Sequence, residues 1–374
     1  RPSPESNAIR TNGPLASNPG GCGPGPLKSR ARYRSIMAKP GPLNLITDVD
    51  GIAVGNAEDV DARTGVTVIV PDDSAIAAAD IRGGASGTRE TEILNGDSLV
   101  KRVNAVVLSG GSAFGLDAAS GVVAWLKAQG RGFFVGDVPV PIVPAAILFD
   151  MLNGGDKDWG EYPPYRDLGR KASAAASQSF ELGNAGAGLG ATAGSLKGGL
   201  GSASLIMDGG YQVGAVVAVN SVGAVVMPGT DTFWAWAAER DDELGGKGPP
   251  TSSPDLSVTG AKSPPMAAGN TTIGVVATNA ALDGGQAKRM AIMAQDGIAR
   301  AVRPAHTPFD GDTVFALATG RAPLPDGSAG DIAIPAAVAG IGAAAADCME
   351  RAVARAVYAA QALGDIPAYR DLKA

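Results

Sequence analysis

Two threonines stand where a turn feeds an apolar strand. In Ala268-Gly-Asn-Thr-Thr-Ile-Gly-Val-Val-Ala-Thr-Asn279, the turn-prone Gly269-Asn270 pair delivers Thr271 and Thr272 onto a β-branched run. A threonine that begins a chain carries its own base, because its α-amine, with a pKa of about 7.7–8.0, accepts the hydroxyl proton near neutral pH. Exposing that amine requires the chain to cut itself between Asn270 and Thr271. The Thr271 hydroxyl would attack the Asn270 carbonyl in an N-to-O acyl shift, and water would hydrolyse the ester. The same hydroxyl would then take an acyl group from an amide substrate, the amine serving first as base and then as acid to the leaving amine. The shift runs uphill for a relaxed peptide, so strain is expected at the junction, made easier by glycine at 269. Residues 245–268 are rich in Pro, Gly and Ser, as a tether that withdraws the new Asn270 end would need to be. From these residues alone, an ordinary turn entering a strand is the simpler account, and it predicts an unbroken chain.

Composition narrows the chemistry. The 374 residues are 45% hydrophobic and 18% charged, a globular balance with ample material for a core. His306 is the one histidine, so a Ser-His-Asp triad has a single candidate base, and zinc sites built on several His/Cys ligands are excluded. A hydrolase with so little imidazole points to another base, such as a terminal amine. Residues 1–36 hold six Pro and six Lys/Arg against one Glu, with no apolar run, and are expected to be a disordered or non-native tail. The body, residues 37–374, then carries a net charge of about −11, which argues against nucleic acid or anionic membrane as a partner. It contains one cysteine, Cys348, which excludes an internal disulfide and fits a reducing cytoplasm. No run approaches 18 uninterrupted apolar residues, so no membrane span is expected.

Residues 37–374 read as one domain of mixed α and β structure. Strands are expected at 65–70, 105–109, 202–207, 212–220, 222–227, 271–278 and 313–319, and helices at 113–128, 143–151, 286–301 and 334–363. Two stretches, 153–170 and 228–268, read as irregular, and loops of that length are usually functional or disordered.

Five motifs carry a resemblance: Arg82-Gly-Gly-Ala-Ser-Gly-Thr-Arg-Glu90, Leu108-Ser-Gly-Gly-Ser-Ala-Phe-Gly-Leu-Asp117, Val219-Asn-Ser-Val-Gly223, Gly269-Asn-Thr-Thr-Ile273 and Phe309-Asp-Gly-Asp-Thr313. Together, and in this order, they resemble the DmpA-type L-aminopeptidase/D-esterase family of self-processing N-terminal-nucleophile hydrolases. That family includes β-peptidyl aminopeptidases and the nylon-oligomer hydrolase NylC. The resemblance covers about residues 41–363. It implies a four-layer α/β/β/α sandwich, cleavage between Asn270 and Thr271 into 37–270 and 271–374, and no cofactor or metal. It also implies a homo-oligomer, a tetramer by family precedent.

The resemblance further implies roles for individual residues. Thr271 would be the nucleophile and its α-amine the base, with Asp310 and Asp312 holding both by hydrogen bonds. Lys197, in a glycine-rich loop, would oppose protonation of the amine, and Asn220 would stabilise the oxyanion. The Leu108–Gly115 loop, with Ser112, and the segment from Arg82 to Glu90 would border the substrate cleft, an Arg82–Glu90 salt bridge being the more economical fate for those two charges. One departure stands out: Phe149 occupies the place where NylC and some aminopeptidases carry a tyrosine, and a phenyl ring cannot donate that hydroxyl's hydrogen bond. The expected activity is release of residues from small peptides, amides or ω-amino acid oligomers. Acyl transfer of the ornithine acetyltransferase type and a non-catalytic binding protein with the same fold are the competing readings.

Overall fold

The computed structural model describes residues 38–254, 260–262, 269–326, 328 and 330–372; the expected tail, 1–36, lies outside them. Residues 36–374 form one compact unit. Its centre is a pair of stacked sheets. The larger has seven strands in the order β1 (Ala38–Lys39), β13 (Gly199–Met207), β14 (Gln212–Asn220), β15 (Thr271–Ala280), β16 (Thr313–Ala322), β4 (Ala75–Ile81) and β6 (Arg102–Val103). The smaller has five: β2 (Ile52–Asp59), β3 (Thr64–Pro71), β7 (Val106–Ser109), β10 (Ala145–Ile147) and β5 (Thr88–Arg89). Two short hairpins, β8–β9 (Phe133–Val135, Val138–Val140) and β11–β12 (Thr192–Ala193, Leu196–Lys197), complete the strands of the described residues.

Three buried layers hold this arrangement together. Val216, Ile273, Val275 and Phe315 of the large sheet face Ile69, Leu108 and Ala146 of the small one. On the outer face of the large sheet, Val217, Val276 and Ala316 meet Met290 and Ile298 of α3 (Gly284–Ala301) and Met349 and Val353 of α4 (Ala333–Ala359). Val66, Val68 and Val107 on the other outer face pack on Val122 and Leu126 of α1 (Ala118–Ala128) and Leu168 of α2 (Tyr165–Ala174). Neighbours such as Val275 and Val276 point to opposite faces of one strand. Both faces are covered, which is why the middle of β15, residues 273–277, carries no charged or large polar side chain. The result is the α/β/β/α sandwich that the family resemblance implies.

Small residues set the spacing. A Cβ built on Gly201 would stand 1.9 Å from the Ala352 carbonyl oxygen, so α4 lies against β13 backbone to backbone. By length and composition α4 is apolar enough to cross a membrane, yet Met349, Ala352, Val353 and Val357 are buried within the core beneath it. The fully buried Arg351 of α4 pairs with Glu243 (Nε–Oε1 2.5 Å), which anchors the otherwise irregular 228–254 stretch. Helix α3 begins with a capping box: Asp283 accepts from the Gln286 backbone at 2.8 Å and Gln286 reciprocates at 2.9 Å.

Four expectations need correction. Residues 143–151 are not helical; a short run buried on both faces forms strand β10 parallel to β7. Residues 222–227 are not a strand, because Gly223 and a hydrogen bond from the Val222 amide to Asp310 divert the chain after Asn220. The 153–170 stretch contains the start of α2, and β2 and β4 went unread because their alternation is diluted by Gly, Ala and acidic residues.

Gly201→Val should overpack the β13–α4 contact and cost about 3 kcal/mol. A fall in melting temperature with an unchanged band pattern on a denaturing gel would be the expected readout.

Candidate active site

Strand β15 begins at Thr271, and register decides what surrounds it: Asn220, the last residue of β14, lies directly opposite. Thr271 is buried, at 3% exposure. Its hydroxyl donates to the carbonyl oxygen of Asn270, the bond expected to be cut. The Gly311 N–H donates to that same oxygen at 2.8 Å. The carbonyl is therefore polarised by a fixed backbone donor, with the hydroxyl held beside it. Gly269 has φ +95°, and a Cβ there would come within 2.5 Å of the Phe149 ring, so only glycine fits this turn.

The Asn220 amide is oriented by its partners. Its Oδ1 accepts from the Thr192 N–H at 2.9 Å, which turns Nδ2 toward the Phe149 carbonyl at 2.8 Å and the Gly269 carbonyl at 3.4 Å. A side-chain amide donor thus sits one residue before the junction.

Asp310 and Asp312 are both buried at 1% exposure. Their carboxylates accept from backbone and side-chain groups around Thr271, and none of the hydrogen bonds among the described residues joins them to its hydroxyl. Asp310 accepts from the Val222 N–H at 3.1 Å and from the Thr307 hydroxyl at 2.6 Å. Burial, and then the charge of Asp312, push its pKa up. Asp312 accepts from the Thr272 N–H at 2.7 Å and pairs with His306 Nδ1 at 2.8 Å. His306 is thus a partner of the site that sequence reasoning set aside; being the lone histidine six residues before Asp312 was its only signal. The Arg82–Glu90 segment packs on this loop through its backbone, the Ala85 N–H donating to the Asp310 carbonyl at 2.8 Å.

Two lysines carry strongly lowered pKa values. Lys197 is fully buried, and its ammonium donates to the Gly188 and Gly198 carbonyls at 2.9 and 3.0 Å. Burial lowers its pKa to about 7 against the opposing pull of Asp150. The cation found at the junction is instead Lys262, whose Nζ donates to Asn270 Oδ1 at 2.5 Å. Burial lowers its pKa to about 7 as well, against the pull of Asp310. Sequence reasoning passed over Lys262 because it lies in the Pro/Gly/Ser-rich tether.

A cavity of about 540 Å³ opens on the Asn270 side of the junction, lined by Phe149, Asn220, Gly269, Asn270 and Lys262 and, further out, by Arg63, Asp150 and Asp365. Ser112 (φ +53°) is not among its lining residues; its N–H donates to the Leu148 carbonyl at 2.9 Å, and its loop is tied to Asp150 by the Gly111 N–H at 2.8 Å. Arg82 also lies outside the lining. Its guanidinium turns to Asp80 at 2.8 Å and Asp296 at 3.4 Å rather than to Glu90, which accepts from the Val143 N–H.

The four-layer sandwich, with a buried threonine at the start of its central strand, has the N-terminal-nucleophile hydrolase fold. Residues 44–367 match the model of peptidase family S58, and the chain belongs to that family. It is 44% identical over 349 residues to an uncharacterized aminopeptidase of Mycobacterium tuberculosis, covering 88% of this chain and 98% of that one. It is 30% identical over 322 residues to a 6-aminohexanoate-oligomer endohydrolase of Paenarthrobacter ureafaciens, covering 83% and 84%. Among solved structures, the L-aminopeptidase D-Ala-esterase/amidase of Ochrobactrum anthropi, described as a new variant of the Ntn-hydrolase fold, superposes with a TM-score of 0.63. It is 24% identical and covers 88% of this chain and 90% of its own. A Burkholderia sp. beta-aminopeptidase gives a TM-score of 0.60 at 25% identity, covering 87% and 89%.

The Lys197 site yields a pH prediction. With a folded pKa of about 7 against an ordinary 10.5, the unfolded chain binds more protons between those values, so Lys197 makes stability rise with pH across that window. Below about pH 7 that dependence is flat. The gap in melting temperature between wild type and Lys197→Met should therefore widen in favour of wild type from pH 7 to about pH 9. A gap independent of pH would show that Lys197 keeps its proton when buried.

Proposed function

We propose that this chain is a self-processing amide hydrolase whose nucleophile is the threonine freed at position 271. The observation that carries the reading is the hydrogen bond from the Thr271 hydroxyl to the carbonyl of its own preceding residue, with the Gly311 N–H on the same oxygen. Such a pair of donors favours attack within the chain: one is the nucleophile itself, held adjacent, and the other is aimed at the charge that develops.

In turnover the freed α-amine takes the Thr271 proton, the hydroxyl oxygen attacks the substrate carbonyl, and the amine then protonates the leaving amine. Asn220, with its amide hydrogens turned toward the junction, stabilises the oxyanion. Asp312 holds the start of β15 through the Thr272 N–H, and Asp310, fixed by the Val222 N–H and the Thr307 hydroxyl, lies on the loop that meets the new ammonium. Lys197 stands behind Thr192, which bonds Asn220, as the buried cation that remains after cleavage and disfavours a charged amine. The relatives' names suggest substrates in which an amide joins small aminoacyl units, among them short peptides and ω-amino acid oligomers. Phe149 against Gly269 makes the near wall of the pocket apolar, which suits methylene chains.

Purified protein should run as two pieces, the smaller spanning residues 271–374 and beginning Thr-Thr-Ile-Gly on N-terminal sequencing. Thr271→Ala should remain a single chain and hydrolyse no aminoacyl p-nitroanilide; an active single chain would sink the proposal. In the processed enzyme, Asn220→Ala should lower kcat by about 10²–10³-fold, with a much smaller effect on KM.

A further inference from the structure

Lys262 has no part in the turnover chemistry above, yet it is built into the junction. Three contacts dock it. Gly260 passes over Gly194 so closely that a Cβ on Gly194 would lie 2.4 Å from the Gly260 carbonyl oxygen. The Lys262 N–H donates to the Val222 carbonyl at 3.0 Å, and the Val222 N–H in turn donates to Asp310. At the far end of the side chain, Nζ donates to Asn270 Oδ1 at 2.5 Å and to Asn220 Oδ1 at 3.4 Å. The side chain therefore bridges the carboxylate loop, the end of β14 and the residue whose carbonyl is attacked. Its place on the chain matters equally: it lies eight residues before the Asn270–Thr271 bond, on the piece that must withdraw once that bond is cut.

We propose that Lys262 is a positioning residue for self-cleavage alone, holding the amide oxygens of Asn270 and Asn220 so that the junction carbonyl stays fixed for attack and leaving the site with the tether afterwards. The inference rests on the reading that the chain cuts before Thr271. In that step the Thr271 oxygen bonds the Asn270 carbonyl carbon and the C–N bond breaks. The departing nitrogen gains the hydroxyl's proton and becomes the free amine. Water then adds across the ester, giving the Asn270 carboxylate and restoring the hydroxyl. Lys262 exchanges no proton in this sequence; it acts through the side chain it holds. A charge-assisted hydrogen bond of this kind is strongest while the lysine is protonated. The charged groups facing it are Asp310 at the junction and, around the same cavity, Asp150, Arg63 and Asp365.

The test follows conversion of newly synthesised full-length chain into its two pieces, on a denaturing gel, for wild type, Lys262→Met and Lys262→Arg between pH 6 and 8.5. Lys262→Met should slow conversion by about 10–100-fold, the loss expected for one hydrogen bond to a charged group. Lys262→Arg should recover most of the rate. The ratio of wild-type to Lys262→Met rates should be largest below about pH 7 and shrink above it, as the ammonium gives up its proton. Once processed, Lys262→Met should match wild-type kcat/KM on an aminoacyl p-nitroanilide within about threefold. The non-cleaving pair Thr271→Ala and Thr271→Ala/Lys262→Met should melt alike. Equal conversion rates, an equal loss in the processed enzyme's kcat/KM, or failure of the double variant to melt cooperatively would each overturn the role of Lys262 and leave cleavage before Thr271 standing. A wild-type chain that never converts would overturn the cleavage reading itself, and this inference with it.

Discussion

The structure turns on a single peptide bond pinned between a sheet and a loop. β15 must begin at Thr271 because its antiparallel register with β14 places Asn220 opposite that residue, and its parallel register with β16 sets Ile273 beside Thr313. The Asp310–Asp312 loop that leads into β16 then falls against the junction, where the Gly311 N–H reaches the Asn270 carbonyl. Slipping β15 by one residue would exchange its two buried faces and turn the Thr271 side chain away from this site. The apolar layers on both sides of the large sheet therefore hold the junction in place as well as the core.

Electrostatics at the junction follow from burial. Two carboxylates and two lysines sit in and around one poorly solvated region, and the shifts run in the directions that favour fewer charges: Asp310 up, Lys197 and Lys262 down. Their placement divides the labour. Lys197 is held by the Gly188 and Gly198 carbonyls within the fold, whereas Lys262 arrives on the segment that precedes the junction. One cation is thus held within the sandwich and the other is carried on the segment that leads into the Asn270–Thr271 bond.

Much of the fold was legible in the chain. Strands buried on both faces appear as unbroken runs such as 271–278 and 212–220, and α3 and α4 show helical spacing of their apolar residues. Errors arose where composition and environment conflict. The 143–151 run has apolar content that suits either element, and only its position inside the small sheet decides for a strand. Residues 222–227 are as β-branched as their neighbours, but the Asp310 carboxylate, 88 residues away, captures the Val222 amide and ends the strand.

The candidate site divides along the same line. By itself the sequence showed the turn at Gly269-Asn270 feeding two threonines onto a strand, the two carboxylates around Gly311 and Asn220 at the end of an apolar run, since each is a matter of residue type at short spacing. It took the family resemblance to single out the Asn270–Thr271 bond. Only the tertiary structure decided that Lys262 is the cation at Asn270, that His306 partners Asp312, and that Arg82 turns toward α3 and away from the cavity. Those facts depend on where side chains from distant segments point once the sheets stack. Direction is set by register and by the packing of the layers, which no local spacing encodes.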